Sequence, residues 1–480
     1  MPFIGRKKEL KILENAWIKD EALIMVSGRR YVGKTALIKA FLHNKNALYF
    51  TAENISDTMN RLAFEKAFRK HCGSSAEPEK KDAKKETKKV VNWRDLFRLY
   101  AEKTEAGGKV LVIDNFDNLV QSNTEFPKLF KSAWQQDLAP NGVMVIVVLP
   151  NSATLADLIG NKNFMNQVTQ RINLKPVTFV ELMKEYPHHD FNQLMLLYSV
   201  AGGIPQYWHA FNNCIDDKHF RGAIESNIMD AHGELFNEAM WLLNAEVVDF
   251  AGYNSILAGL AQGGETIQDL ADRTGFKTAK VEEYLENLII LDYVTKTTSI
   301  VERRFFGRKR VEYKICDPMI SFWYTFVFPY YAAIQQGKTQ NARKHLKSHF
   351  FNYIQYWFRQ VATEIFMTAS RQDSLPLNCD EVGLYFNHDE QIDVLGIDNT
   401  KKRVFFGDCA YSNKSYTKAE YDAFVERVQN IKELRRTFKD YEWVYGIFSA
   451  YPFESELLDY SLITKNVLLF NGITIYSLNT

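Results

Sequence analysis

Membrane-spanning length, paired cysteine and net charge are all scarce in this chain of 480 residues. The longest uninterrupted aliphatic stretch, Val143 to Leu149, falls far short of the ~20 residues that a helix needs to cross a bilayer. The first residues, Met1-Pro2-Phe3-Ile4-Gly5-Arg6, hold no apolar core of the kind a secretory leader carries. Cysteine appears five times, at Cys72, Cys214, Cys316, Cys379 and Cys409, with no CxxC pair. That scatter argues against a zinc site or a disulfide framework and fits reduced thiols. Lys and Arg (59) nearly balance Asp and Glu (58), a net charge of +1, so no global field draws in nucleic acid, and any basic patch must be local. A soluble cytoplasmic protein without a membrane partner is expected, and the length calls for about three or four units.

Against these absences stands one complete motif. Gly28-Arg29-Arg30-Tyr31-Val32-Gly33-Lys34-Thr35 reads GxxxxGKT, between the apolar run Ala22 to Val26 and a helical pattern from Ala36 to Leu42. In such a strand–loop–helix setting, backbone N–H groups cradle phosphate oxygens. Lys34 is expected to reach the β and γ phosphates, and Thr35 to place its hydroxyl on Mg²⁺. Val110-Leu111-Val112-Ile113-Asp114 supplies a strand ending in a carboxylate, which makes Asp114 the metal-side partner. The next residue, Asn115, is an amide and cannot accept a proton at neutral pH. Asp117 could act through a water, but it reads as a solvated turn carboxylate. Asn151 and Ser152, after the strand Val143 to Leu149, are candidates for the γ phosphate or ordinary turn residues.

Several segments together resemble the archaeal-type ATPases, a STAND-like and AAA-like branch of P-loop NTPases. They are Phe3-Ile4-Gly5-Arg6-Lys7-Lys8-Glu9-Leu10, the loop itself, the strand ending at Asp114, Arg171-Ile172-Asn173-Leu174-Lys175-Pro176 and Gly202-Gly203-Ile204-Pro205. Tyr313 to Pro318 with Phe322-Trp323 extends the likeness towards the C-terminus. The resemblance implies ATP and Mg²⁺ as cofactors and a helical lid that moves with nucleotide state. It departs at Asn115, where the family usually has Glu, which implies slow hydrolysis rather than lost binding.

The expected fold is multidomain α/β: a P-loop NTPase core with a helical lid, a winged-helix domain and a PD-(D/E)xK nuclease-like α/β domain. The core covers residues 1–178, with a Lys-rich surface insertion at 74–90; the lid covers 179–245 and the winged helix 246–316. In the winged helix, the third helix (Thr278 to Leu291) carries Glu282, Glu283 and Glu286, whereas the wing gathers Arg303, Arg304, Arg308, Lys309 and Arg310. DNA contact, if made here, runs through the wing. An aromatic connector and a basic linker follow (317–347). The last domain, 348–480, takes its helix from about Tyr353 to Thr368 and then alternates βββ-α-β.

In that last domain, Asp393 and Asp408 are fifteen positions apart on neighbouring expected strands, where nucleases of this type hold Mg²⁺. The lysine that orients water beside such a metal is missing, because the triplet reads Asp408-Cys409-Ala410. Lys414 or Glu364 could be drawn in, but a degenerate site is the expectation. Three functions stay open: an ATP-binding switch with slow Mg-dependent hydrolysis at Lys34, Asp114 and Asn115; an ATP-gated metal-dependent DNA nuclease; and a nucleotide-regulated DNA-binding regulator. An adenine nucleotide is the expected partner, DNA a further one, and homo-oligomerisation, with Arg171 as an arginine donor, is left open.

Overall fold

The first sheet is built from five parallel strands, β1 (Leu23–Gly28), β2 (Ala47–Thr51), β3 (Lys109–Asp114), β4 (Val143–Pro150) and β5 (Gln170–Asn173), in the order β2-β3-β4-β1-β5. β1 and β3 are buried along their whole length, and β4 all but its last residue. That is the consequence of a parallel sheet covered by helices on both faces, and it is why these strands read as unbroken aliphatic runs. The computed structural model describes residues 5–18, 22–72, 92–103, 109–211, 215, 219–301, 310–372, 374–387 and 389–478. The Lys-rich insertion 74–90 and the wing residues Arg303, Arg304, Arg308 and Lys309 lie outside them.

The chain divides into two compact units, Met1–Pro176 and Val177–Thr480. In the first, helices α1 (Lys7–Trp17), α2 (Lys34–Phe41), α3 (Asp57–His71), α4 (Trp93–Lys103) and α5 (Phe116–Ser122) flank the sheet. An aromatic cluster on one face holds α3, α4 and α5: Phe64 meets Trp93 at a ring separation of 5.5 Å, and Phe116 meets Phe130 at 5.2 Å, both edge to face. Such pairs add about 1 kcal/mol each beyond the area they bury. Phe116 is fully buried and opens α5, so this packing fixes the helix that starts just past Asp114.

The second unit begins with short helices, among them Phe179–Glu185 and Phe191–Ala201, the latter ended at Gly202. Three helices, Phe250–Ala261, Ile267–Thr274 and Thr278–Ile290, then lead into an antiparallel pair, β6 (Val294–Thr298) with β7 (Val311–Ile315). Ile267–Thr274 is started by a capping box between Thr266 and Asp269, satisfying backbone donors that would otherwise be orphaned. In the aromatic run after Pro318, Phe322, Trp323, Tyr324 and Phe326 are buried. Trp323 donates its indole N–H to the Phe236 carbonyl at 2.6 Å, and Tyr324 its hydroxyl to Asn254 at 2.7 Å.

One expectation fails at the next step. A single helix runs from Gln340 to Arg371, so most of the presumed basic linker forms its first turns, before the start expected near Tyr353. The basic residues read as linker because they lie on exposed positions of a helix whose apolar stripe is thin at that end. The helix packs against a six-stranded sheet, β13-β12-β11-β10-β9-β8, made of β8 (Glu381–Phe386), β9 (Gln391–Asp398), β10 (Arg403–Ala410), β11 (Glu442–Ser449), β12 (Val467–Asn471) and β13 (Thr474–Tyr476). β10, β11 and β12 run parallel to one another, and the flanking pairs are antiparallel. Phe366 stacks on Phe405 with centroids 4.2 Å apart, joining helix to sheet.

Candidate functional site

The phosphate loop follows β1 directly. Gly28 sits at φ 149, and a Cβ there would meet the Leu174 carbonyl oxygen at 2.5 Å, so only glycine lets β5 approach. Tyr31 and Gly33 are left-handed (φ 61 and 98), and together they curl the loop. A Cβ on Gly33 would have nothing within 4 Å; the loop opens at that point onto space a phosphate could take. The Lys34 ammonium donates to the Gly28 and Arg29 carbonyls at 2.6 and 2.8 Å. Arg6, buried, reaches across to donate to Val32 O at 3.0 Å and Lys175 O at 2.7 Å, clasping the loop to the chain beyond β5. Its role went unread in the sequence, where only an arginine before a helix was visible.

Asp114 closes the site from two strands away. Its Oδ2 accepts from Thr35 Oγ1 at 3.3 Å and from the Tyr49 hydroxyl at 2.5 Å. Burial first, and then the Asp114 carboxylate, push the Tyr49 phenol well above its ordinary range, which keeps it a donor. Tyr49 gave no sequence signal, because one tyrosine in a short strand looks like core. A hydroxyl and a carboxylate in contact beside a cradle of amides form a hard-oxygen donor set, which suits Mg²⁺ held between protein and phosphates. The residues present therefore fit ATP and Mg²⁺.

Asn115 turns its side-chain amide back towards the residue after β2. It is left-handed (φ 55), its N–H donates to Asp114 Oδ1 at 3.0 Å, and its amide reaches back to the Ala52 carbonyl at 3.4 Å. Asparagine tolerates that backbone region better than glutamate does. Asp117 needs correction: it is 8% exposed, not solvated, and its Oδ1 has no hydrogen-bond partner. Burial raises its pKa, while the charges of Arg30 and Lys34 act in the opposite direction. Ser152 caps the helix Ala153–Gly160 by accepting from Leu155 N–H, which is turn chemistry. Asn151 is buried, and its N–H donates to Gly28 O at 3.2 Å. Arg171 is exposed on β5.

Residues 3–211 match the ATPase domain found predominantly in archaea. The chain carries an archaeal-type ATPase domain. Residues 323–421 match a family of archaeal and bacterial proteins of unknown function. An uncharacterized protein of Methanocaldococcus jannaschii is 26% identical over 407 residues, covering 84% of this chain and 86% of its own. An uncharacterized ATP-binding protein of the same organism is 57% identical over 44 residues, 9% of this chain and 75% of its own. Among solved structures, a Walker-type ATPase of Pyrococcus abyssi is similar at 17% identity and a TM-score of 0.49, covering 67% of this chain and 95% of that one. The Aeropyrum pernix ORC2 protein, in ADPNP and ADP complexes, follows at 14% and 0.46, covering 70% and 95%. No helix among the described residues is long and apolar enough to cross a membrane.

Beyond the ATPase domain, the structure brings Asp393 and Asp408 onto adjacent strands, one step past the pair Gly407 and Val394. Both carboxylates are already engaged. Arg359 lies 3.3 Å from Asp393 Oδ1, Cys409 N–H donates to Asp393 Oδ2 at 3.2 Å, and Arg427 and Tyr416 each contact Asp408 at 3.2 Å. Burial, and then Asp393, raise the Asp408 pKa. Lys414 is exposed, with its own N–H directed to Ser412. Glu364 is not drawn in. Its two oxygens accept from Phe179 N–H at 3.0 Å and Val180 N–H at 2.8 Å, capping that helix. Arg310, the one described member of the wing cluster, pairs with Glu312 at 3.2 Å and lies over the Phe386 ring. On the third helix, Lys280 pairs with Glu283 at 3.1 Å.

Proposed function

We propose that the protein is a nucleotide-dependent switch whose P-loop binds ATP with Mg²⁺ and hydrolyses it slowly, and whose occupancy is passed to residues 177–480. The observation that carries this reading is the Arg6 clasp. Arg6 bonds Val32 in the loop and Lys175 beyond β5, and two residues later the chain enters the second unit. There Val177 N–H donates to Gly203 O at 2.8 Å and Glu364 holds the next helix. A phosphate tail that reshapes the loop at Val32 pulls on that clasp, and so on the start of the helical segment. Lys34 supplies the fixed cation for the phosphates, and Thr35 with Asp114 would hold the metal, which supplies charge neutralisation at the phosphates when bound. Slow turnover accords with an amide, Asn115, in the place directly after Asp114, so that no base stands at that position.

Hydrogen exchange with and without a non-hydrolysable ATP analogue tests the switch. Altered protection in residues 177–203 at saturating nucleotide is expected; an exchange pattern unchanged there, with nucleotide demonstrably bound, would refute it.

Within the second unit, we read the three helices with the β6–β7 pair as a winged helix, and the six-stranded domain as a nuclease-like scaffold that does not cut. The absent lysine and the two arginines on Asp393 and Asp408 support the latter. Plasmid and single-stranded DNA incubated with Mg²⁺ or Mn²⁺ should remain intact, and cleavage abolished by Asp393→Ala would favour the nuclease instead.

A further inference from the structure

Burying a carboxylate oxygen without a partner is costly, because nothing replaces its lost water. Such an atom is one that a bound water, an ion or a reaction can use. In the ATPase domain, Asp117 Oδ1 is such an atom, on a side chain more than nine-tenths buried. Its position is set by two neighbours: the left-handed turn at Asn115, and fully buried Phe116, which anchors the first turn of α5. Asp117 thus stands in the first turn of α5, three residues after Asp114, and the charges of the loop cations Arg30 and Lys34 act on it.

Resting on the ATPase reading above, we infer that Asp117 is the carboxylate that orients the attacking water and takes its proton, the task Asn115 cannot perform. The left-handed backbone at residue 115 suits asparagine, and a carboxylate stands two residues on, in the first turn of α5. As the water oxygen bonds to the γ-phosphorus, the bond from that phosphorus to the β,γ-bridging oxygen breaks. One water proton passes to Asp117 and returns to solvent as ADP and inorganic phosphate leave. Burial raises the Asp117 pKa, which strengthens its carboxylate as a proton acceptor.

The test uses the full chain, with nucleotide binding followed by calorimetry and turnover by phosphate release, both with Mg²⁺ present. Asp117→Asn keeps the shape and removes the base, so turnover should fall by about 100-fold or more while ATP affinity stays within a few-fold. Asp117→Glu should retain measurable turnover. The inference is overturned if Asp117→Asn turns over within threefold of the parent, or if it loses affinity together with turnover, which would mark a structural role. A parent that binds ATP without hydrolysing it would also overturn it, leaving nucleotide binding intact. A parent that binds no nucleotide would sink the ATPase reading itself.

Discussion

Aspartates stand at strand ends or on adjacent strands in both units, and their surroundings differ in kind. Asp114 faces two hydroxyls, Thr35 and Tyr49, next to a glycine loop. Asp393 and Asp408 face two guanidinium groups, Arg359 and Arg427. A hydroxyl is a weak partner that leaves a carboxylate its charge for a metal, whereas an arginine neutralises much of that charge. The same residue type at a similar place in a sheet thus keeps hydroxyl partners in one unit, as a metal ligand would, and is half of an ion pair in the other. What decides between these roles is the charge of the neighbouring side chains.

That contrast can be broken or sharpened by substitution. The largest effect is expected from Lys34→Ala, which removes the cation that meets the phosphates. ATP affinity should drop on the order of 100-fold, about 3 kcal/mol, read by calorimetry; an unchanged affinity would remove the basis for calling the first site a ligand site. Removing both Arg359 and Arg427 as alanines should destabilise the second unit by about 1–2 kcal/mol. That figure is set below the value for a fully buried pair because both guanidinium groups are a third or more exposed. Chemical denaturation would detect it, and a midpoint that does not move would show the pairs to be ornamental.

Tyr49→Phe should raise the Mg²⁺ concentration for half-maximal turnover roughly tenfold, since hydrogen bonds to a ligating carboxylate tune metal affinity. No change would mean that Tyr49 is packing alone. The smallest effect concerns pH. Because Asp408 has a raised folded pKa, the native state holds its proton more tightly than the unfolded chain does. Its contribution to stability therefore falls as pH rises from the ordinary carboxylate range through the raised value. Denaturation near pH 4 and near neutrality should show the parent gaining on Asp408→Asn as pH falls; a constant difference would remove Asp408 from the account.

Much of the fold was legible because it rests on local patterns. The aliphatic runs that became β1, β3 and β4 are long and unbroken, as burial on both faces demands. The strands from Glu381, Gln391 and Arg403 were likewise readable from their apolar content. The phosphate loop was legible because its glycines and lysine follow from backbone geometry and charge over eight neighbouring residues. The extent of the helix Gln340–Arg371 was not, since its first turns carry mostly basic residues whose partners are set by distant contacts. Asp117 was misread for a related reason: a carboxylate after a strand is usually solvated, and only the packing of Phe116 reveals that this one is not.

The order of residues by itself determined that a GxxxxGKT turn would stand between a buried strand and a helix, and that a carboxylate would end another strand, because both depend on steric rules acting over a few bonds. Tertiary structure alone decided which side chains those groups would face. Arg6 reaches Lys175 across 169 positions, Tyr49 reaches Asp114 across 65, and Arg427 reaches Asp408 on β10 from the helix Lys418–Asn430. Electrostatic partners are chosen by proximity in space, and proximity between distant residues exists only once the core has closed around them.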